Sequence, residues 1–206
     1  MRKFERVEAV AAPLDAPNVD TDQIIPARFL WRARADGYGA LLFNDLRTDA
    51  DGAARPDFVL NRPACQGASV LVADRNFGCG SSREHAVWAL ADAGFRVVIA
   101  PSFGDIFFNN SFKNGLLPVV LPEARCAELR AALARNPGAK LVVDLEAQTV
   151  TGPLGVNDGF GTDHFEVDAF RRQLLLSGMD DITFTLSQQD RIAAFEAGFK
   201  ADMPWI

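Results

Sequence analysis

The sequence predicts an α/β fold with mixed sheets, and three observations carry that expectation. Short apolar runs suited to strands recur along the chain, helical patterns sit between several of them, and both ends look more β-like than the middle. With 206 residues and 49% hydrophobic content, the chain is long enough for one large domain with its own core. No repeat, charge block or Pro/Ser-rich linker splits it, so the expected domain is the whole of 1–206. A charged fraction of 23% excludes a wholly disordered or collagen-like chain.

The elements follow in order. Val7–Ala11 reads as the first strand. From Pro26 to Asn61 the pattern weakens, with Arg28, Arg32, Arg34, Arg47 and Arg55 among Gly, Asp and Ala. A structureless connection of that length is usually functional or mobile, the plain alternative being a solvated surface loop. Ser69–Ala73 is a Val-rich strand, and Glu84–Ala93 a helix with Val87, Trp88 and Ala91 on one side. Val97–Ala100 and Leu116–Leu121 are strands. Between them Phe103, Phe107, Phe108 and Phe112 recur at near-helical spacing, which means core or subunit interface; Lys113 either faces an anionic site or, as the leading reading, closes that helix before Gly115. Glu123–Arg135 follows Pro122, a good first-turn residue, and turns Leu129, Ala132 and Leu133 inward. Leu141–Leu145 and Phe165–Val167 are strands. Ser187 opens a last helix, with Asp190 three residues on and Ile192, Phe195 and Phe199 as its apolar stripe.

Composition also excludes functions. With 21 Lys+Arg against 27 Asp+Glu, the net charge of −6 argues against a general nucleic-acid binder, which needs a basic surface. No apolar run approaches the roughly 20 residues that span a bilayer, and the charged start MRKFERVEAV is not a secretory signal. Three cysteines, at 65, 79 and 126, give neither a disulfide framework nor a C-x-x-C metal knuckle. The expected setting is a reducing cytoplasm.

Chemistry concentrates between Ser69 and Leu90. A Val-rich strand runs into a loop containing Gly78 and Gly80, and a helix begins near Ser82. Glycines let backbone N–H groups approach a ligand, and the first turn of a helix adds unpaired donors and partial positive charge. Arg83 adds a planar fork that matches a carboxylate. Together they read as an anion site. The competing reading is a capping box, in which Ser81 and Glu84 satisfy backbone donors reciprocally; with two adjacent serines, one can cap while the other faces a ligand. The spacing fits neither a P-loop nor a G-x-G-x-x-G turn, and no G-x-S-x-G elbow is present. His85 lies at a poor angle to serve as a base for the serines, and His164 reads as structural. Cys79, alone among the glycines, reads as a small tolerated residue rather than a ligand.

These residues resemble a known family. Asn76-Phe-Gly-Cys-Gly-Ser-Ser-Arg-Glu-His85 resembles the signature of the swivelling domain of aconitase-type hydro-lyases, and is most similar to small subunits of bacterial 3-isopropylmalate dehydratases. Three further blocks are similar to that family in order: Asp20–Leu30, Ser102–Pro118 and Gly178–Leu186 with the Ser187–Glu196 segment after it. The resemblance implies a three-layer β/β/α swivelling domain with mixed sheets, an early specificity loop at about 26–40 and a C-terminal helical extension at about 187–206. It implies half of an enzyme, whose large-subunit partner carries a [4Fe–4S] cluster in a heterodimer or higher hetero-oligomer, while this chain binds no cofactor or metal itself. The reaction implied interconverts 2-isopropylmalate and 3-isopropylmalate by dehydration and rehydration in leucine biosynthesis. By the same resemblance Ser81 is the catalytic base, acting as an alkoxide, and Ser82 and Arg83 hold a carboxylate of the dicarboxylate substrate. Phe29, Leu30 and Trp31 would sense the substrate's γ-carbon group, to which apolar side chains are suited. Small subunits of a homoaconitase or of a citraconate/2-methylmalate hydratase are the alternatives in class, and a non-catalytic dicarboxylate-binding module is the alternative of another class.

Overall fold

The computed structural model describes residues 1–154, 161–203 and 205. Among them are strands β1 (Val7–Pro13), β2 (Val70–Val72), β3 (Val97–Ala100), β4 (Leu117–Val120), β5 (Lys140–Asp144), β6 (Thr149–Leu154) and β7 (Thr162–His164). The helices are α1 (Thr21–Ile24), α2 (Asn44–Arg47), α3 (Glu84–Asp92), α4 (Asp105–Lys113), α5 (Glu123–Arg135), α6 (Ala169–Ser177), α7 (Asp181–Leu186) and α8 (Gln189–Asp202).

The strands run in the order β4-β3-β2-β1-β5-β6-β7, and β1 divides its length between two kinds of pairing. Its first half, Val7–Val10, pairs antiparallel with β5. Its second half, Ala11–Pro13, pairs parallel with β2. The parallel half continues through β3 and β4 and the antiparallel half through β6 and β7. The expected mixture of pairings is therefore present, and it is hinged on one strand.

The parallel strands are buried on both faces, which is why they read as unbroken apolar runs. Val70, Val72, Val97, Ile99, Leu117 and Val119 face a core shared with α5, α6 and the antiparallel strands. Leu71, Ala73, Val98 and Ala100 face the opposite way, into a core with α3, Tyr38 and Phe43. A period of two thus sorts one continuous sequence into two cores.

Several elements differ from the sequence reading. α5 has the expected bounds and buries Leu129, Ala132 and Leu133, but Pro122 is its N-cap rather than a first-turn residue. α3 buries Ala86, Val87, Ala89 and Leu90, so its inward face is rotated from the Val87/Trp88/Ala91 side. Phe165–Val167 is not a strand; the ladder ends at His164, and Phe165 N and Val167 N each bond to Gln148 instead. β6 was hidden by the Gly-Pro pair in its middle, which reads as a turn. The C-terminal end is helical rather than β-like. α6 starts on an Asp168 cap, and Ser187 closes α7 instead of opening α8. Residues 204 and 206 of the expected extension lie outside the described residues.

The weakly patterned connection is neither structureless nor merely solvated. Tyr38 and Phe43 are fully buried. Tyr38 donates its hydroxyl to Arg32 O (2.6 Å), and Asp92 at the end of α3 accepts from Tyr38 N (2.8 Å) and from both Arg34 Nη atoms (2.5 and 2.8 Å). Two aromatic plugs and one clamp of charge hold the segment to the body. The pattern was faint because the anchors are single residues rather than a periodic face.

Candidate functional site

Three stretches far apart in sequence meet at the loop between β2 and α3. From one side Asn18, Val19 and Thr21 lace onto it: Asn18 N donates to Arg75 O (2.9 Å), Gly78 N to Val19 O (2.7 Å) and Thr21 N to Cys79 O (2.9 Å). From the other side Asn76 N donates to Ser102 Oγ (2.9 Å), Phe77 N to Ser102 O (3.0 Å) and Gly104 N to Phe77 O (2.9 Å). These contacts lie at or just before the starts of the blocks at 20–30, 76–85 and 102–118. The backbone of the signature loop is thus held by hydrogen bonds on both flanks between Arg75 and Cys79.

Packing makes two glycines necessary here. Gly78 has φ +71°, and a Cβ on it would lie 2.3 Å from Phe107 Cγ. Gly104 has ordinary φ, but a Cβ there would lie 2.6 Å from Gly78 O. The phenylalanine series serves this contact: Phe107 is buried, in edge contact with Phe77 and stacked with Phe103. Beneath the loop, Arg130 of α5 is buried and donates to Asp15 Oδ1 (3.0 Å), Asp74 Oδ2 (3.0 Å) and Ala73 O (2.9 Å), locking the end of β2.

Ser81 and Ser82 are exposed and Arg83 is half-buried. The capping box expected at Ser81 is absent. α3 starts at Glu84 with Arg83 as N-cap and no side-chain cap bond. Ser81 takes part through its carbonyl, which accepts from Arg83 N (2.8 Å) and Thr21 Oγ1 (3.2 Å). Glu84 is engaged elsewhere: it accepts from Asn114 Nδ2 (2.7 Å), while Asn114 Oδ1 accepts from Trp88 Nε1 (2.9 Å), so this triad joins α3 to the end of α4. The side-chain cap lies instead on α1, where Asp20 accepts from Gln23 N (2.8 Å). The signal was present as D-x-x-Q. Among the described residues the Ser81 hydroxyl therefore has no protein partner.

Arg83 forms an ion pair with Asp22 through Nη1. Its remaining donors have no protein partner among the described residues, so the fork keeps capacity for an anion. Asp22 is the residue at this site that sequence motifs left without a role. His85 is a packing residue: its ring meets Tyr38 at 5.3 Å and Trp88 at 4.6 Å between centroids. Burial, helped by Arg83 and Arg34 against the pull of Glu84, pushes its pKa down. Lys113 closes α4 as expected and lies in a groove with Met1, Asn109, Phe112, Phe170 and Arg171, away from the signature loop.

The apolar trio of the early segment divides. Phe29 and Leu30 are half-buried against the Phe77/Phe107 core, whereas Trp31 is 81% exposed. No hydrogen bond or ring contact joins the trio to Ser81–Arg83 among the described residues. Arg28 beside it is paired with Asp45 and bonded to Asn44 (3.0 Å).

Among the described residues no group of three or more His, Cys, Asp or Glu is placed to hold a metal ion. Cys65 and Cys126 are buried and Cys79 half-buried. Burial raises all three thiols, Cys126 to about 11. No helix among the described residues is long and apolar enough to cross a membrane.

The mixed sheet with its laced Gly-Cys-Gly-Ser-Ser-Arg loop points to a class, and residues 1–124 match the aconitase C-terminal domain. Residues 127–169 match the LeuD_N domain, and 181–206 match the C-terminal domain of 3-isopropylmalate dehydratase small subunits. The chain is 52% identical over 206 residues to the 3-isopropylmalate dehydratase small subunit of Paramagnetospirillum magneticum, covering 100% of both chains. It is 55% identical to that of Rhodospirillum centenum, covering 100% of this chain and 98% of that one. A crystal structure of 3-isopropylmalate dehydratase from Methanocaldococcus jannaschii superposes with a TM-score of 0.64 at 25% identity, covering 93% of this chain and 99% of that chain. The chain belongs to the family of 3-isopropylmalate dehydratase small subunits.

Proposed function

We propose that this chain works as one half of a cytoplasmic 3-isopropylmalate dehydratase, interconverting 2-isopropylmalate and 3-isopropylmalate by dehydration and rehydration in leucine biosynthesis. The other half is a large subunit bearing the [4Fe–4S] cluster; among the described residues of this chain no three or more His, Cys, Asp or Glu are grouped to hold a metal. The whole chain acts as one swivelling domain, with residues 26–40 as its specificity loop and 187–206 as its extension. The observation that carries this reading is the convergence of three sequence segments on a hydrogen-bonded loop that leaves Ser81 and Ser82 exposed beside Arg83.

In this reading each residue does what its position suits. Ser81 Oγ, as an alkoxide, takes the proton from the substrate carbon; with no protein partner among the described residues, it is available to do so. The α3 N-terminus and Arg83 favour negative charge there. Ser82 and the free donors of Arg83 hold a substrate carboxylate, Arg83 bidentately. Phe29, Leu30 and Trp31 face the isopropyl group. Arg28 and Arg34 are already neutralised by Asp45 and Asp92, which disfavours an extra substrate carboxylate of the homoaconitate kind, although Arg32 has no ion pair among the described residues.

The test is the chain reconstituted with its large subunit and offered 2-isopropylmalate, homoaconitate and 2-methylmalate. Isopropylmalate should have the highest kcat/KM; a higher value for either of the others overturns the substrate assignment. Ser81→Ala should lower kcat by about 10²–10⁴-fold, the usual worth of a positioned base, with little change in KM. Turnover near the wild-type value would remove Ser81 from the chemistry. Tight dicarboxylate binding without turnover in the complete complex would favour a binding module instead.

A further inference from the structure

The surface of the body is well covered, yet apolar exposure gathers at the C-terminal end. Of the twelve large hydrophobic side chains exposed among the described residues, eight lie between Phe170 and Trp205. On α8, every residue whose burial is described is exposed. Ile192, Phe195 and Phe199, followed by Met203, recur at helical spacing within one stripe. Phe195 and Phe199 stack on each other at 5.9 Å, with no other ring contact among the described residues. α7 is held to the body by Phe184 against Phe170 (5.0 Å) and presents Ile182 and Leu186 outward.

A 14-residue helix that leaves its described residues exposed is marginal in water, and Gly198 weakens it further. Its apolar area says what kind of cover it needs. Phe170, Phe195, Phe199 and Trp205 are 46%, 70%, 40% and 78% exposed, or on the order of 450 Å² of aromatic surface at about 200 Å² for each full side chain. With Ile182, Leu186 and Ile192 added, the arm approaches the roughly 800 Å² that one side of a standard protein interface buries. Monomers do not usually expose so much apolar surface in one place.

We infer that α7–α8 is a docking arm that seats in an apolar groove of the cluster-bearing large subunit. This rests on the two-subunit reading above and adds to it the surface that holds the subunits together. A second copy of this chain suits the arm less well. A two-fold contact along the α8 stripe would cover Ile192, Phe195 and Phe199 and leave the α7 side chains and Phe170 bare. A groove in a larger partner covers both helices, in the manner of an amphipathic helix anchored at i, i+3 and i+7. Anchoring through an arm that makes no contact with the Ser81–Arg83 loop also leaves the body free to close over the site and reopen.

The test uses the full-length chain and its purified large subunit. Phe195→Asp/Phe199→Asp and, separately, Ile182→Asp/Leu186→Asp should each bind the large subunit at least tenfold more weakly in an equilibrium titration. The kcat measured at saturating small subunit should stay within about twofold of wild type, because neither pair touches the site. Wild-type Kd for both variants overturns the arm while leaving the two-subunit reading intact. A wild-type chain that dimerises alone, and becomes monomeric with Phe195→Asp/Phe199→Asp at unchanged Kd for the large subunit, overturns it in favour of a second copy. A wild-type chain that neither binds nor activates the large subunit sinks both readings.

Discussion

Arg83 keeps one guanidinium nitrogen on Asp22 and leaves the others without a protein partner among the described residues. A lysine there would have a point charge in place of a planar fork, and could not match a carboxylate bidentately. Burial and the neighbouring Asp20 carboxylate push the Cys79 thiol up, and the Cys79 carbonyl accepts from Thr21 N (2.9 Å). His85 has a measurable consequence. Its pKa is depressed by burial below the ordinary histidine value of 6.5, so the unfolded chain binds a proton there more readily than the folded one. The stability this contributes is fully present above pH 6.5 and is lost as the pH falls through the lower folded value. Melting temperatures measured from about pH 7 down to pH 5 should therefore fall more steeply for wild type than for His85→Gln. Parallel slopes would show that the ring titrates alike in both states.

At the scale of elements, the signature loop is a backbone device. Its order comes from hydrogen bonds to the segments at 18–21 and 102–104 and from the fit of Phe107 against Gly78. Gly78→Ala must both hold a side chain at φ +71° and displace a ring, which together cost about 3 kcal/mol or more. Gly52 has a similar φ of +81° but open space around it, so Gly52→Ala should cost only about 1–2 kcal/mol. Urea unfolding of the two variants separates the steric term from the conformational one, and equal losses would count against the close approach of α4. The same logic explains why the capping box moved. Glu84 found a partner in Asn114, on an element 30 residues away, and Asp20 rather than Ser81 took the capping role.

At the scale of the whole molecule, β1 belongs to both halves of the sheet, so the parallel part carrying the site and the antiparallel part leading to the C-terminal helices form one ladder. That ladder presents an exposed serine pair beside an arginine and an uncovered C-terminal arm, the two surfaces that the half-enzyme proposal assigns to substrate and partner. The isolated chain should show no isomerase activity, measured as conversion of 2-isopropylmalate; clear turnover without a partner would overturn the half-enzyme proposal. The sequence by itself determined the buried parallel strands, α5 with its inward residues, and the four blocks that mark the family, because periodicity and motif spacing are written in neighbouring residues. It also placed Ser81, Ser82 and Arg83 together, since they are adjacent. Only the tertiary structure decided that three of those blocks meet at one loop, that Asp22 pairs with Arg83, and that Trp31 stands in solvent while Tyr38 and Phe43 anchor the segment behind it. Such pairings cannot be read locally: a side chain such as Glu84 has several partners within chemical reach, and packing between distant elements selects among them.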